Sequence, residues 1–400
     1  GLIVISVIGI LAFNLTKAKY QNIEDIELVK GEVNYKIPDF KMMAMYQNNN
    51  GSYEEVNELP GKNYKINESK SYCTINNVDK DNKAKLYTDK YGQHIIGNIS
   101  KNDKCYLYFD KNTEVVSTVL GSIEVNNYTP DFSETATTDE GIFKAEDNDG
   151  VSYYWRGAAT TNYLKFAGFY WRIVRINGNG SLRLIYNGPT TDQTGETTQI
   201  GLSSFNDNYG DNAYVGYMYG TPGSNTYEET HADINDSKIK LFIEDWYNKN
   251  IVNKNYSNKI IAINSFCSER SLYQGKGYGK NKTSYIEAFR VHQKIPSLKC
   301  SQVSDLFNIP VGLITADEFI MAGNTYPKRN SNSFLYTNET YWTMTPSGYG
   351  YAGVFYISAN GSIEVYSANG TAKISGVRPV LNIQTTILGG TGTENDPYIV

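Results

Sequence analysis

The chain has 400 residues, with 37 Lys and Arg against 42 Asp and Glu, a formal charge of −5 and 34 tyrosines. That length exceeds one small core and predicts two or three folded units. An acidic balance with no run of five or more basic residues excludes a protein that tracks nucleic-acid phosphates, so nucleic acid is not expected as a partner.

The first thirteen residues, GLIVISVIGILAF, are uncharged and almost wholly apolar, and the polar NLTKAKYQNIEDIELVKGE follows at once. Thirteen residues fall short of the roughly 20 that span a bilayer, but a stretch with no initiator Met suits the tail of a signal anchor or the core of a signal peptide. The expectation is an apolar anchor helix and polar stem over 1–30. It implies an exported protein held to the membrane and cell surface by its N-terminus, or secreted. A buried core helix is the plainer alternative.

Residues 31–110 read as a small all-β domain. FKMMAMYQNNNGSYEEV is two runs about an Asn-Gly turn, a hairpin pattern. KLYTDKYGQHIIGNIS and KCYLYFD follow, the last alternating in strand fashion around Cys105. Residues 111–129 read as a linker, and Pro130 opens a unit running to 400.

Cysteines fall in two pairs with similar spacing, Cys73 with Cys105 and Cys267 with Cys300. An even count at two similar spacings suits two disulfides, one per domain, in an oxidising compartment. Four free buried thiols are the alternative, and spacing leaves the pairing open. His94, His231 and His292 are the only histidines and lie far apart in sequence, so no metal or other cofactor is expected.

In FAGFYWRIVRINGNGSLRLIY, residues 166–186, two strands flank a turn whose residues tolerate positive φ. Trp171, Ile173 and Arg175 share one face and Arg172, Val174 and Ile176 the other. Both faces carry apolar groups, which places the pair inside a sheet, with the arginines reaching carboxylates or carbonyls at its margins. Downstream, DSKIKLFIEDWYNKNI reads as a helix capped by Asp236 or Ser237, with Ile239, Phe242, Ile243 and Trp246 at helical spacing. TADEFIMAG carries a capping box from Thr315 to Glu318 and stops at Gly323. Closely spaced strands end the chain: YWTMTP, then GVFYISANGSIEVYSANG with an Asn-Gly turn at 360–361, then GVRPVLNI.

These segments, GVSYYWRGAATTNYLKFAGFYWRIVRINGNGSLRLIY, VGLITADEFIMAG, YWTMTPSG, GVRPVLNI and GTGTENDPYIV, resemble the C-type-lectin-like domains of surface proteins from gut Firmicutes and Mollicutes. The resemblance covers about 130–400. It implies an α+β fold class: a C-type-lectin-like C-terminal domain behind the small all-β domain and the N-terminal apolar helix. In such folds the final strands and loops present the ligand surface, with Trp342 and the GVRP segment as framework. Tyr349, Tyr351, Tyr356, Asn360, Tyr366 and Asn369 are then the candidate contacts for an extracellular glycan or protein. The triplets Glu-Pro-Asn, Gln-Pro-Asp and Trp-Asn-Asp that carry calcium-dependent sugar binding are absent, and EDNDG at 146–150 fails the EF-hand spacing at Ala145 and Arg156, so it reads as a solvated turn.

An enzyme is not expected. No cysteine follows Cys300 to serve thiol oxidation, and nucleophile elbows, Walker loops and HExxH are missing. Asp233 and Asp236 flank a helix start, where capping accounts for them; Glu244 and Asp245 are chain neighbours that do not face each other. A glycan-processing enzyme stays as the lesser alternative, because its two carboxylates need no local motif. The nearer alternative is a pilin-like filament subunit, suggested by an apolar stalk before AMYQNNNGSYEEV. Against it, the fifth residue is Ile5 rather than Glu, and Pro38 stops a long stalk helix.

Overall fold

The computed structural model describes residues 26–27, 41–47, 52–56, 64–67, 70–74, 85–88, 94–97, 104–111, 119–121, 123–262, 265–273, 278–279, 283–348, 352–365, 370–384 and 387–400. The apolar run at the N-terminus lies outside them. Among the described residues no helix is long and apolar enough to cross a membrane. Contacts divide the chain into two units, 1–113 and 114–400.

In the first unit, strand Lys104–Lys111 is the hub of a five-stranded sheet. Cys105, Leu107 and Phe109 are buried and alternate with half-buried Lys104, Tyr106 and Tyr108, the period-two pattern of a strand with one covered face. Lys41–Gln47 forms the expected hairpin with Tyr53–Val56, and it also runs parallel to Lys104–Lys111. Cys105 is disulfide-bonded, and Cys73 stands directly opposite it on the antiparallel ladder, although the Cys73 side chain lies outside the described residues. Ile26–Glu27, from the expected polar stem, pairs instead as a strand with His94–Gly97.

The second unit is β-rich with a few short helices, so the α+β expectation holds at that level. Its strands include β1 (Asp139–Asp147), β2 (Gly150–Gly157), β3 (Tyr163–Phe166), β4 (Phe169–Ile176), β5 (Leu182–Gly188) and β6 (Leu202–Ser204). After them come helices α1 (Tyr227–Thr230), α2 (Lys238–Tyr247), α3 (Ile286–Gln293) and α4 (Ala316–Met321). The later strands are β7 (Val311–Gly312), β8 (Tyr341–Pro346), β9 (Val354–Ile357), β10 (Ile363–Val365), β11 (Ile374–Gly376) and β12 (Val380–Ile383). One sheet of nine strands runs β7-β12-β5-β4-β2-β1 and ends on Val125–Asn126, with β3 on β4 and Tyr398–Ile399 on β3. Another, of five strands, runs β6-β11-β8-β9-β10.

That edge strand corrects the linker. Val125 pairs in parallel with Ile142 of β1, and Val119 is buried in the second unit's core. Gly121 and Ser122 break the apolar residues into two short runs, so 119–126 read as a connector although they complete the sheet.

The β4–β5 hairpin is interior, as its two apolar faces require. Trp171, Ile173, Val174 and all of β5 are buried, and the apolar ones join Trp155, Phe319 and Trp342 in one hydrophobic cluster. Its arginines find the kinds of partner expected, but inside the protein rather than at a margin. Arg172 donates to the carbonyl of Ala159 at 2.6 Å and lies 3.7 Å from the Tyr163 ring centroid. Arg175 pairs with Asp147 and Glu318, and Arg183 with Glu318.

Helix α4 forms as its capping box dictates: Thr315 Oγ1 accepts from the Glu318 amide, and Glu318 accepts from the Thr315 amide at 3.0 Å. Gly323 then takes φ +101°, with a Cβ position only 2.8 Å from the Gly157 amide nitrogen, so only glycine closes this helix. Helix α2 is capped by Ser237, whose Oγ accepts from the Lys240 amide at 3.2 Å. Asp233 and Asp236 serve otherwise than expected, pairing with Arg270 and Lys240.

Candidate functional site

Strand β8 supplies the frame. Its Tyr341 and Trp342 are fully buried. Trp342 Nε1 donates to the Ser203 carbonyl of β6 at 2.9 Å, tying β8 to the strand two places away. Arg378, from the GVRP segment, donates to the carbonyls of Tyr186 and Leu335 and lies 4.8 Å from the Tyr341 ring centroid. Trp342 and Arg378 of GVRP are thus buried and fixed by hydrogen bonds to neighbouring segments.

Four loops gather beyond that frame, joined mainly by backbone groups. The Ser347 amide donates to the Gly353 carbonyl, Ala352 to Tyr209, Thr371 to Ala352 and Asn206 to Thr371, all at 2.8–3.0 Å. Thr371 Oγ1 adds a bond to the Asn208 carbonyl. Asn212 Nδ2 reaches Thr283 Oγ1 at 2.8 Å, which brings in the loop before α3. Gly348 (φ +74°) lies against that loop: a Cβ there would stand 2.9 Å from the Thr283 carbonyl oxygen. Of the side chains there, Tyr209 is 37% exposed, whereas Asp211 caps its own turn and Tyr278 donates to Thr230. Aromatic rings beside amides and hydroxyls can stack on a ligand and hydrogen-bond to it at low entropy cost.

The sequence-derived contacts divide. Tyr349, Tyr351, Tyr366 and Asn369 lie outside the described residues, although the segments that flank them, Ser347–Gly348, Ala352–Gly353 and Gly370–Thr371, are among the gathered loops. Tyr356 is corrected to a core residue: it is 8% exposed, packs edge-on to Trp342 at 6.3 Å and donates to Glu364 at 2.9 Å. Asn360 is likewise committed to its own turn, its Oδ1 accepting from Ser358 Oγ, the Ser362 amide and Ser362 Oγ. Such self-bonding is the ordinary use of Asn at a hairpin tip. Tyr209 and Tyr278 were missed. NDNYGDN and GYG carry the same Tyr/Asn/Gly mixture used to single out 341–370, and that signal was available.

In EDNDG, Glu146 and Asn148 are exposed on a turn, as expected, but Asp147 faces inward. Asp147 is buried and accepts from Arg175 at 2.8 Å, Ser152 at 2.6 Å and the Gly178 amide at 2.9 Å. Burial pushes its carboxyl upward, but Arg175 and those donors outweigh burial and hold it below the usual aspartate value. Asn148 bonds both the amide and the carbonyl of Cys300, whose disulfide to Cys267 is formed. Among the described residues no group of three or more His, Cys, Asp or Glu is placed to hold a metal ion.

His231 sits at the end of α1. Its Nε2 is 3.0 Å from the Tyr285 hydroxyl and its Nδ1 2.9 Å from the Tyr227 carbonyl. Burial, with Arg270 nearby, pushes its pKa down to about 3. The ring is thus neutral at physiological pH, with a hydrogen-bond partner at each nitrogen, which suits a core histidine better than an acid–base catalyst. Compared with family models, with curated proteins and with solved structures, the chain gives no match.

Proposed function

We propose that this chain is an exported, surface-displayed recognition protein. Its second unit is a C-type-lectin-like domain that binds an extracellular glycan or protein through the gathered loops. The observation that carries the reading is their convergence: 206–212, the loop before α3, 347–348, 352–353 and 370–371 meet over the rigid Trp342–Arg378 frame. Adaptable side chains on loops held by a stiff scaffold are the usual arrangement of a binding surface. The Cys267–Cys300 disulfide suits an oxidising compartment. The tether to a membrane through the N-terminal apolar segment rests on the sequence alone.

The test is a glycan array probed with the full chain and with a variant carrying Tyr209→Ala, Tyr349→Ala, Tyr351→Ala and Tyr366→Ala. Aromatic contacts at an interface centre each cost about 2 kcal/mol on truncation, so the variant should lose array signal by more than about tenfold with unchanged circular dichroism. Equal signals from both proteins would remove this face as the binding site. Silence of the parent on every glycan would rule out the glycan half of the reading.

A further inference from the structure

Beneath β8 lies a group of charges that the binding reading does not use. Glu269, Glu287 of α3 and Asp317 of α4 are all buried around one guanidinium, Arg290. Arg290 donates to Glu269 Oε2 at 2.8 Å and to Asp317 Oδ2 at 2.6 and 2.9 Å. Glu287 Oε1 accepts from Thr345 Oγ1 of β8 at 2.7 Å, and that hydroxyl in turn accepts from the Ala316 amide that opens α4 at 2.8 Å. Glu269 Oε1 has no hydrogen-bond partner. The Ser297 amide lies beside Asp317. From β8 the facing group is the uncharged Thr345. His292, on the same helix, points instead at Tyr326 and Phe355.

Three carboxylates and one cation leave an excess of two negative charges if all ionise. Each buried ion costs several kcal/mol of desolvation, and like charges at close range add to that cost. A bound proton relieves both and supplies a donor among oxygens that otherwise only accept. Burial first, and the Asp317 charge second, drive the Glu287 carboxyl well above the ordinary glutamate value. Burial pushes Asp317 up as well, against the pull of Arg290.

We propose that this cluster is a proton-dependent clamp: a proton held on the Glu287–Asp317 pair keeps α3, α4 and the end of β8 packed together, and its loss loosens them. The clamp would operate whether or not the loops beyond β8 bind a ligand. The sign follows from linkage. A group whose folded value is raised contributes stability that is complete below its unfolded value and is lost as pH rises through the folded one.

The experiment compares the full chain with Glu287→Gln, a neutral stand-in for the protonated acid, by denaturant unfolding from pH 4 to 9. The folding constant of Glu287→Gln relative to the parent should climb above pH about 4.5, by up to tenfold per pH unit. The three histidines contribute equally to both proteins and cancel in the ratio. Hydrogen exchange, corrected for its intrinsic pH dependence, should show Met344 and Ser347 amides losing protection with rising pH in the parent alone. A pH-independent ratio overturns the clamp, and so does a rising ratio without that difference in exchange. If Glu287→Gln does not fold, Asp317→Asn neutralises the other member of the pair and is read in the same way.

Discussion

Replacing Glu318 by Ala tests whether the interior depends on its buried ion pairs. Glu318 is 3% exposed and accepts from Arg175 Nε at 3.1 Å, from Arg183 Nη2 at 3.1 Å and from the Thr315 amide at 3.0 Å. Burial opposes its charge, but Arg183 and Arg175 outweigh burial and hold its carboxyl below the ordinary value, so it is ionised at neutral pH. After the substitution Arg175 keeps Asp147 and Ser152. Arg183 keeps only neutral partners, the Ser265 carbonyl at 2.9 Å, Asn382 and the Phe266 ring. One guanidinium is stranded, which costs about 3–5 kcal/mol, and the helix loses half its capping box at about 1 kcal/mol. Because the two losses share one side chain, the expected total is about 4 kcal/mol, or roughly 8–16 °C in Tm for a unit of this size. Differential scanning calorimetry and urea unfolding measure it. A double-mutant cycle with Arg183→Met, which removes the stranded charge, should return at least about 2 kcal/mol. A loss below about 1 kcal/mol, or simple additivity in the cycle, would refute the reasoning.

Two further outcomes follow from the same interior. Replacing Cys267 and Cys300 together by Ser frees a loop with a sequence separation of 33 and should lower stability by about 3–4 kcal/mol; a urea midpoint equal to the parent's would contradict this. Asp147 and Glu318 both have depressed folded values. Their contributions are therefore present above the unfolded carboxylate values and disappear as pH falls through the folded ones. Asp147→Asn should flatten the loss of stability between pH 5 and 2 on acid titration followed by circular dichroism, and an unchanged acid slope would count against it.

What the sequence revealed was what neighbouring residues decide. The β4–β5 hairpin was legible because alternation and an Asn-Gly turn specify it locally. Helix α4 was legible because Thr315 and Glu318 cap each other three residues apart. The partner of Lys41–Gln47 was not legible: it is a parallel strand sixty residues downstream, and no local pattern encodes such a pairing. Tyr356 misled because tyrosine is compatible with both faces of a strand; only the arrival of Trp342 and Glu364 shows which side is covered. Asp147 misled for a related reason: its turn is solvated at Glu146 and Asn148, while Asp147 itself turns inward to Arg175, 28 residues on. The candidate face was half legible. Its composition pointed to the end of the chain, while its other loops come from 206–212 and from before α3, which sequence distance hides.

The order of strands in the larger sheet also bears on synthesis. One side of β5, an entirely buried strand, is completed by β12, which leaves the ribosome roughly 200 residues later. At ordinary elongation speeds that is an interval of about 10–40 s during which an apolar strand has one open edge. Open edges of this kind recruit other chains. A nascent molecule of this protein therefore needs shelter until β12 emerges, and truncation before β12 should yield aggregates rather than a smaller folded product.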